Sequence, residues 1–410
     1  MNNISLDLGK KDSRISFPQV STPQVPTKAI NFKTVDKVEF SEKPMEKSSK
    51  MLLSLLRASL RNEKGDPSAF KDATREDWTK LMKLADRASV AGFAFDGVSK
   101  FKKGTVPSDV VLDMYDFIKA SESKYAKQEK VVGELSATLA EKGIDTVVLK
   151  GLGLSLNYPH PTHRHGRDID IFTRLKNTVT EGRSNATEIL DDMMMSRGIE
   201  VEEYRDPKAK HSEFEYKGLN IENHKYFVNK EHMKGAKLVD KLLHEKLNPV
   251  EKVLPNGTKI LVPSTEFNTI FLAQHAFQHY AFGGIDLHNL VDWSMHIDKN
   301  GLKVPEELKG TKLEKFMYAL TNVSNKYLGT NVKAPEDKEY EQKLITKIVN
   351  INENRPPKGI NNLQLIMFKT KRFIKHYNET KEYTERSFLD TIVASLRYKF
   401  KHPDSVLRRL

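Results

Sequence analysis

The sequence predicts an α+β protein, in which a small β-containing core lies between two helical regions. Apolar residues recur with the 3.6-residue period of amphipathic helices up to about residue 142 and again from about residue 264. Between these regions the chain has short β-branched runs that end at glycine. With 410 residues, 20 Phe and 13 Tyr, the chain can bury a sizeable core, and a wholly disordered protein is excluded.

The first two segments differ in their apolar pattern. Residues 1–47 contain several prolines, serines and lysines without helical or strand period, so we expect a disordered or extended tail. Residues 48–142 are expected to form an N-terminal helical region. Its longest helix is predicted to begin near Pro107, a residue suited to a helix start, and to end before Gly143.

The predicted α/β core covers residues 143–235. A buried strand, a strand that alternates acidic and apolar residues, and a third strand are predicted, followed by a hairpin around Lys217-Gly218. A short helix lies between the second and third strands, with Ser184 as its N-cap and Gly198 at its end. The predicted strands are 145–150, 168–173, 199–204, 211–216 and 219–227.

The remaining chain is expected to be helical. Residues 236–335 are predicted to pack on the core, and residues 336–410 to form a basic extension. From Arg355 to Leu410 there are 13 Lys/Arg against 5 Asp/Glu, a net charge of +8. Such an extension can bind RNA, an anionic membrane surface or an acidic protein, and the alternative is a solvated helix surface.

Composition also excludes several classes of protein. The 67 Lys+Arg and 55 Asp+Glu give a formal charge of +12, and the absence of Cys excludes disulfides, thiolate metal sites and cysteine nucleophiles. No run approaches 18 apolar residues, so a membrane-spanning helix is not expected. The N-terminus lacks the apolar segment of a secretory signal, and the expected location is the cytoplasm.

The motif Asp168-Ile169-Asp170 is the most informative chemical feature. In a strand, Asp168 and Asp170 point to the same face while Ile169 points to the other. Two carboxylates on one face repel each other unless a cation lies nearby, and Mg²⁺ prefers oxygen ligands of this kind. The alternative is an edge strand with an acidic, solvated face.

Residues around this motif favour a phosphate and metal site. Lys150 and Gly151 end the first strand, where a backbone without a side chain can approach a phosphate closely. Arg164 and Arg167 are cations able to contact phosphate oxygens, and Glu222 on the later hairpin offers a third carboxylate. The alternatives are a solvated lysine at the strand end and arginines in structural ion pairs.

These residues carry a family resemblance. The run from Val147 to Phe172 resembles the uncharacterised nucleotidyltransferase family of the DNA polymerase β-like nucleotidyltransferase superfamily, and the later I-E-N-H is similar to that family's I-E-x-H. The helical stretch around Trp78 and the segments 275–279 and 284–293 are also similar. The positions that match the L-K-G, Y-P-x-P and R-x-x-x-D-I-D pattern are Lys150, Gly151, Tyr158, Pro159, Pro161, Arg164, Asp168 and Asp170.

Three positions depart from the pattern. The superfamily usually has Ser directly after the motif glycine, where this chain has Leu152. Arg167 occupies the place of the glycine before D-I-D, and His288 stands where relatives often carry Arg. These three changes are expected to affect triphosphate binding more than the fold.

The resemblance implies a small mixed β-sheet nucleotidyltransferase core and a mechanism with two Mg²⁺ ions. Asp168, Asp170 and Glu222 would bind the metal, and a nucleoside triphosphate would donate its nucleoside monophosphate to a hydroxyl acceptor on a small molecule, protein or RNA. Lys150 and Gly151 would hold the triphosphate, and Arg164 or Arg167 would neutralise the leaving pyrophosphate.

Other sites and functions are weighed against this one. The histidine-rich loop His160–His165 and the pair His275 and His279 could bind zinc, but surface and core-packing roles are favoured because no Cys or H-E-x-x-H motif is present. Neither a dinucleotide fingerprint nor a P-loop occurs. Two functional alternatives stay open: a nucleotide- or partner-binding module that has lost catalysis, and a basic RNA or membrane-surface adaptor led by the lysines and arginines of the C-terminal extension, namely Lys369, Lys371, Arg372, Lys375, Lys399 and Lys401.

Overall fold

A computed structural model describes the greater part of the chain. The described residues are 45–164, 166–176, 185–207, 209–230, 233–282, 284–349, 361–381, 383, 389, 392 and 393. Nearly all of the predicted tail, the predicted N-cap Ser184 and much of the basic C-terminal extension lie outside these ranges.

Along the chain, the described α-helices precede the strands, lie between some of them and follow them. Two of the earlier helix predictions correspond closely to observed elements, namely the long helix after Pro107 and the helix that starts after Ser264. The helices are α1 Lys47–Arg61, α2 Arg75–Arg87, α3 Ala91–Val98, α4 Ser108–Ala140, α5 Leu152–Ser155, α6 Asn185–Ser196, α7 Ala236–Lys246, α8 Thr265–Phe282, α9 Leu287–Asn300, α10 Lys312–Leu328, α11 Lys338–Val349 and α12 Asn362–Thr380.

Among the described residues, six strands form one mixed sheet, with the order β3-β4-β2-β1-β6-β5. Strand β2 is antiparallel to β1 and parallel to β4, and β3–β4 and β5–β6 are antiparallel hairpins. This arrangement, with helices before and after it, confirms the α+β fold class. The strands are β1 Ile144–Val148, β2 Ile169–Leu175, β3 His211–Tyr216, β4 Leu219–His224, β5 Val250–Val253 and β6 Lys259–Val262.

The two faces of the sheet belong to different hydrophobic clusters. On one face Ile169, Ile171 and Ile221 pack with residues of α4 and α6. On the other face Val147 and Phe172 join the larger cluster that includes α1, α8 and α9. Because side chains alternate along a strand, Asp170 lies on the same face as Phe172, which is the face toward α8.

Two strand predictions need correction. The predicted third strand, 199–204, is wrong, because only an isolated bridge joins Glu202 to Glu213 and the positive φ angles of Glu203 and Arg205 (53° and 52°) end the extended conformation. Strands β5 and β6 lie in a segment that was predicted to be helical. They contain only four residues each and are joined across the Asn256-Gly257 turn, so their apolar period was too short to detect.

No helix among the described residues is both long enough and apolar enough to cross a membrane.

Candidate nucleotide and metal site

Two of the predicted acids face each other across neighbouring strands. Asp170 on β2 is directly opposite Glu222 on the parallel strand β4. The side chain of Asp170 is 4% exposed and that of Glu222 is 16% exposed, so both carboxylates are largely removed from water. Buried carboxylates this close require compensating cations or protons.

Lys150 and His224 supply the nearest compensating groups. Lys150 Nζ lies 3.1 Å from Asp170 Oδ1, and His224 Nε2 lies 3.0 Å from the same oxygen. Burial raises the pKa of Asp170, but the charge of Lys150 and the hydrogen bond from His224 outweigh burial and hold that pKa well below its ordinary value. Burial lowers the pKa of Lys150, and the charges of Asp170 and Glu222 more than reverse this effect, so the ammonium stays charged.

Asp168 lies immediately before β2, at the edge of this cluster. Its Oδ1 accepts a hydrogen bond of 3.3 Å from Asn220 Nδ2, whose amide also donates to Glu213. The charge of Asp168 also helps to raise the pKa of Lys150, after the larger effects of burial, Asp170 and Glu222. The structure therefore brings the three predicted acids and Lys150 into one electrostatic cluster.

Gly151 adopts a backbone conformation that other residues rarely adopt, with φ 61° and ψ −113°. A Cβ atom at this position would lie 3.6 Å from the carbonyl oxygen of Asp168 and 3.8 Å from Arg164 Nη1. The absence of a side chain thus leaves the backbone open between the acidic strand and an arginine. Leu152, in the place of the superfamily's Ser, is buried in the core beneath the sheet.

Arg164 connects the core to helix α9. Its Nε and Nη2 atoms donate to the two carboxylate oxygens of Asp292 at 3.0 and 2.6 Å, and the hydroxyl of Tyr158 also donates to Asp292. Nη2 also lies 2.9 Å from His288 Nε2. The side chain of Arg164 is 2% exposed, so this is a buried, bidentate ion pair. A structural ion pair was the alternative to phosphate binding that the sequence left open for this arginine.

One nitrogen of Arg164 is not used by this pair. Nη1 is buried without a hydrogen-bond partner among the described residues, and it is the atom closest to Gly151 on that side chain. A buried N–H group without a partner costs about 1–3 kcal/mol. A phosphate oxygen near Gly151 would satisfy it.

Arg167 is exposed and lies next to Asp168 in the chain. Its Nη2 donates to the carbonyl oxygen of Arg87, at the end of α2, over 3.3 Å. Lys124 donates from α4 to the carbonyl oxygen of Arg167 at 2.9 Å. These contacts hold the loop before β2 against the N-terminal helices.

Further basic groups face the cluster, and the sequence analysis did not assign them to it. Burial and the charge of Lys150 lower the pKa of Lys210. Burial lowers the pKa of His275 and His279 on α8, and Lys150 is the next largest cause for both; the pKa of His279 falls to about 4. Their Nε2 atoms are 3.2 Å apart. The favoured expectation for this pair is core packing, and both histidines also lie close enough to Lys150 for its charge to lower their pKa.

The histidines of the 160–165 loop have a different environment. His163 Nδ1 lies 2.8 Å from Asp96 Oδ1 and Nε2 lies 3.4 Å from Glu122 Oε1, whereas His160 is exposed. Burial lowers the pKa of His163, but the hydrogen bond and charge of Asp96 outweigh it, so the pKa is raised. His165 lies outside the described residues.

Two comparisons with known proteins find similarity. The sequence model of a family described as "Uncharacterised nucleotidyltransferase" matches residues 74–329. A solved structure is described as an antigenic nucleotidyltransferase-like protein from Paracoccidioides brasiliensis. The match to it has 15% sequence identity and a TM-score of 0.33, and it covers 50% of this chain and 94% of the other chain. No curated protein matches.

Proposed function

Because the chain belongs to the uncharacterised nucleotidyltransferase family, we propose that it transfers a nucleoside monophosphate from a nucleoside triphosphate to a hydroxyl acceptor with the help of Mg²⁺. The observation that carries this proposal is the buried pairing of Asp170 with Glu222 on adjacent parallel strands, beside Lys150. A fold seldom keeps two buried carboxylates opposite each other without a function for them.

The residues present fit a divalent metal. Asp168, Asp170 and Glu222 offer carboxylate oxygens, which are the ligands that Mg²⁺ prefers. When bound, Mg²⁺ would lower the pKa of the acceptor hydroxyl and neutralise charge on the phosphates.

The chain's own cations are proposed to bind the triphosphate. Lys150 neutralises Asp170 in this structure, and a phosphate next to Gly151 would offer its ammonium a second anionic partner. Arg164 Nη1, which has no partner among the described residues, would donate to the same phosphate. Lys210 lies near Lys150 and would add positive charge. Arg167 at the exposed edge is proposed to contact the pyrophosphate as it leaves.

One observation favours a second candidate function. Leu152 is buried in the core, so the position after the motif glycine offers no hydroxyl to the triphosphate. The second candidate is therefore a module that binds nucleotide and does not transfer it.

The test combines nucleotide binding with transfer of an α-phosphate label. We expect saturable Mg²⁺-dependent binding of at least one nucleoside triphosphate to the wild type. Loss of one charged carboxylate in Asp170→Asn or Glu222→Gln is expected to lower label transfer to an acceptor in a cell extract on the order of 100-fold or more.

Glu215→Gln is the matched control, because Glu215 is an exposed acid on the same hairpin. Binding without transfer would support the second candidate. Transfer that survives Asp170→Asn at the wild-type rate would refute the assignment of the acids.

A further inference from the structure

A second set of donor atoms adjoins Glu222 on the β3–β4 hairpin. His211 is directly opposite His224 across these antiparallel strands, and Glu222 lies two residues before His224 on the same face. One nitrogen of each histidine and a carboxylate oxygen of Glu222 all lie within 4.8 Å of one another. This set contains two imidazoles and one carboxylate, which differs from the all-carboxylate set proposed for Mg²⁺.

His224 is oriented as metal-binding histidines are. Its side chain is 0% exposed, and its Nδ1 lies 3.2 Å from the carbonyl oxygen of Tyr226. Since a carbonyl only accepts hydrogen bonds, Nδ1 carries a proton and Nε2 is the nitrogen directed at the carboxylates. A metal ion bound there would replace the hydrogen bond from Nε2 to Asp170. A histidine that donates one ring N–H to a backbone carbonyl and presents the other nitrogen to an ion is the usual arrangement in protein metal sites.

His211 has a nitrogen that needs a partner. Its Nδ1 is buried and makes no hydrogen bond to a described residue, although it lies 3.3 Å from Glu222 Oε2. A buried nitrogen without a partner is costly. A cation between His211 and Glu222 would contact the nitrogen lone pair and the carboxylate together.

The spacing of the donors fits a small ion. His211 Nδ1 and His224 Nε2 lie 3.3 and 3.4 Å from the same oxygen of Glu222. Four ligands at bond lengths of about 2.0–2.1 Å around a tetrahedral ion are separated by roughly 3.3 Å. Each histidine nitrogen therefore lies at nearly the distance from the Glu222 oxygen that such an ion requires.

The donor chemistry selects the type of metal. Mg²⁺ takes oxygen ligands almost exclusively, whereas imidazole nitrogens suit first-row transition metals such as Zn²⁺, Mn²⁺ and Fe²⁺. We propose that His211, Glu222 and His224 bind a divalent transition-metal ion at the Glu222 end of the site. This inference rests on the proposed function in that Glu222 belongs to both sets of ligands.

Co²⁺ is a suitable probe, because nitrogen ligation in a four-coordinate site produces intense visible absorption. We expect saturable Co²⁺ absorption with the full-length wild type that excess Mg²⁺ does not remove and that Zn²⁺ displaces. His211→Gln and His224→Gln are each expected to weaken Co²⁺ binding at least about tenfold. His160→Gln, which replaces an exposed histidine outside the cluster, is expected to bind Co²⁺ as the wild type does.

His211→Gln is the decisive variant if loss of the buried His224 prevents folding, because the side chain of His211 is 24% exposed. Equal Co²⁺ binding by wild type and His211→Gln would overturn the inference, as would complete displacement of Co²⁺ by Mg²⁺.

The two proposals fail separately. Co²⁺ binding that depends on both histidines, without transfer of a nucleotide label under any metal, would support the metal site and reject the transferase. Label transfer with Mg²⁺ by a protein that binds no Co²⁺ would reject the metal site and support the transferase.

Discussion

The buried ion pair between Arg164 and Asp292 provides a quantitative test of how the helical region is attached to the core. Replacement of Arg164 by Met leaves the carboxylate of Asp292, which is 8% exposed, with Tyr158 and His288 as its remaining neighbours. Removing one partner of a buried pair costs about 3–5 kcal/mol, because the other charge stays desolvated. We expect Arg164→Met to lose this amount of unfolding free energy at neutral pH.

The assay is equilibrium unfolding in guanidinium chloride, followed by the fluorescence of Trp293 in a Trp78→Phe background that removes the second tryptophan. Trp293 is fully buried and directly follows Asp292, so its emission reports on this part of the molecule. The double variant Arg164→Met/Asp292→Leu removes both charges and is expected to recover most of the loss. A loss below about 1 kcal/mol for Arg164→Met would refute the reasoning.

The pH dependence of the double variant gives an independent check. Burial raises the pKa of Asp292, but Arg164 and His288 outweigh burial and lower that pKa to about 2. Because the folded-state pKa is depressed, the stabilisation is complete above the ordinary pKa of 3.8 and is lost as the pH falls through about 2. The difference in unfolding free energy between wild type and Arg164→Met/Asp292→Leu, which lacks this carboxylate, should therefore shrink by about 2 kcal/mol over this acid range. A difference that stays constant from neutral pH to about pH 2 would contradict the assignment.

Two further predictions concern the loops around the site. Gly151→Ala forces a side chain into the positive-φ conformation and should cost about 1–3 kcal/mol of unfolding free energy. The control is Gly166→Ala, whose Cβ would meet nothing closer than 3.5 Å and which should cost under about 0.5 kcal/mol. Equal melting temperatures for the two variants would argue against strain at Gly151. Asp96 holds the pKa of His163 above 6.5 despite burial, so its stabilisation is present below pH 6.5 and lost as the pH rises through the raised value. Asp96→Asn should lower the His163 pKa measured by NMR and should reduce stability more at about pH 6 than at about pH 9; an unchanged His163 titration would exclude this pairing.

Sequence reasoning predicted the acids because strand alternation is a local property. Asp168 and Asp170 are two residues apart, so their shared face followed from the period of an extended chain. The pairing of Asp170 with Glu222 required the strand order, which a motif alone does not encode. The sequence analysis proposed Glu222 as a third carboxylate from the predicted hairpin and from the family resemblance, and the parallel register of β2 and β4 places it opposite Asp170.

The partners of the site could not be predicted in the same way. Lys210 immediately precedes β3 and His211 begins it, and neither residue belongs to a motif. His275 and His279 lie on α8, where their spacing is equally typical of core packing. Arg164 was predicted as a phosphate ligand from its charge, while its contact with Asp292 depends on packing between segments 128 residues apart. Side chains that converge through tertiary packing leave no local period in the sequence.

The charges of the site explain why the buried acids and the basic residues around them occur together. Asp170 and Glu222 are buried opposite each other, an arrangement that would raise their pKa values and leave them protonated if no cation were near. Lys150 and His224 prevent this, because both contact the same oxygen of Asp170. In turn, the acids raise the pKa of the partly buried Lys150, while the same ammonium lowers the pKa of His275 and His279. The acids are therefore kept ionised by a cation that is also the proposed phosphate ligand.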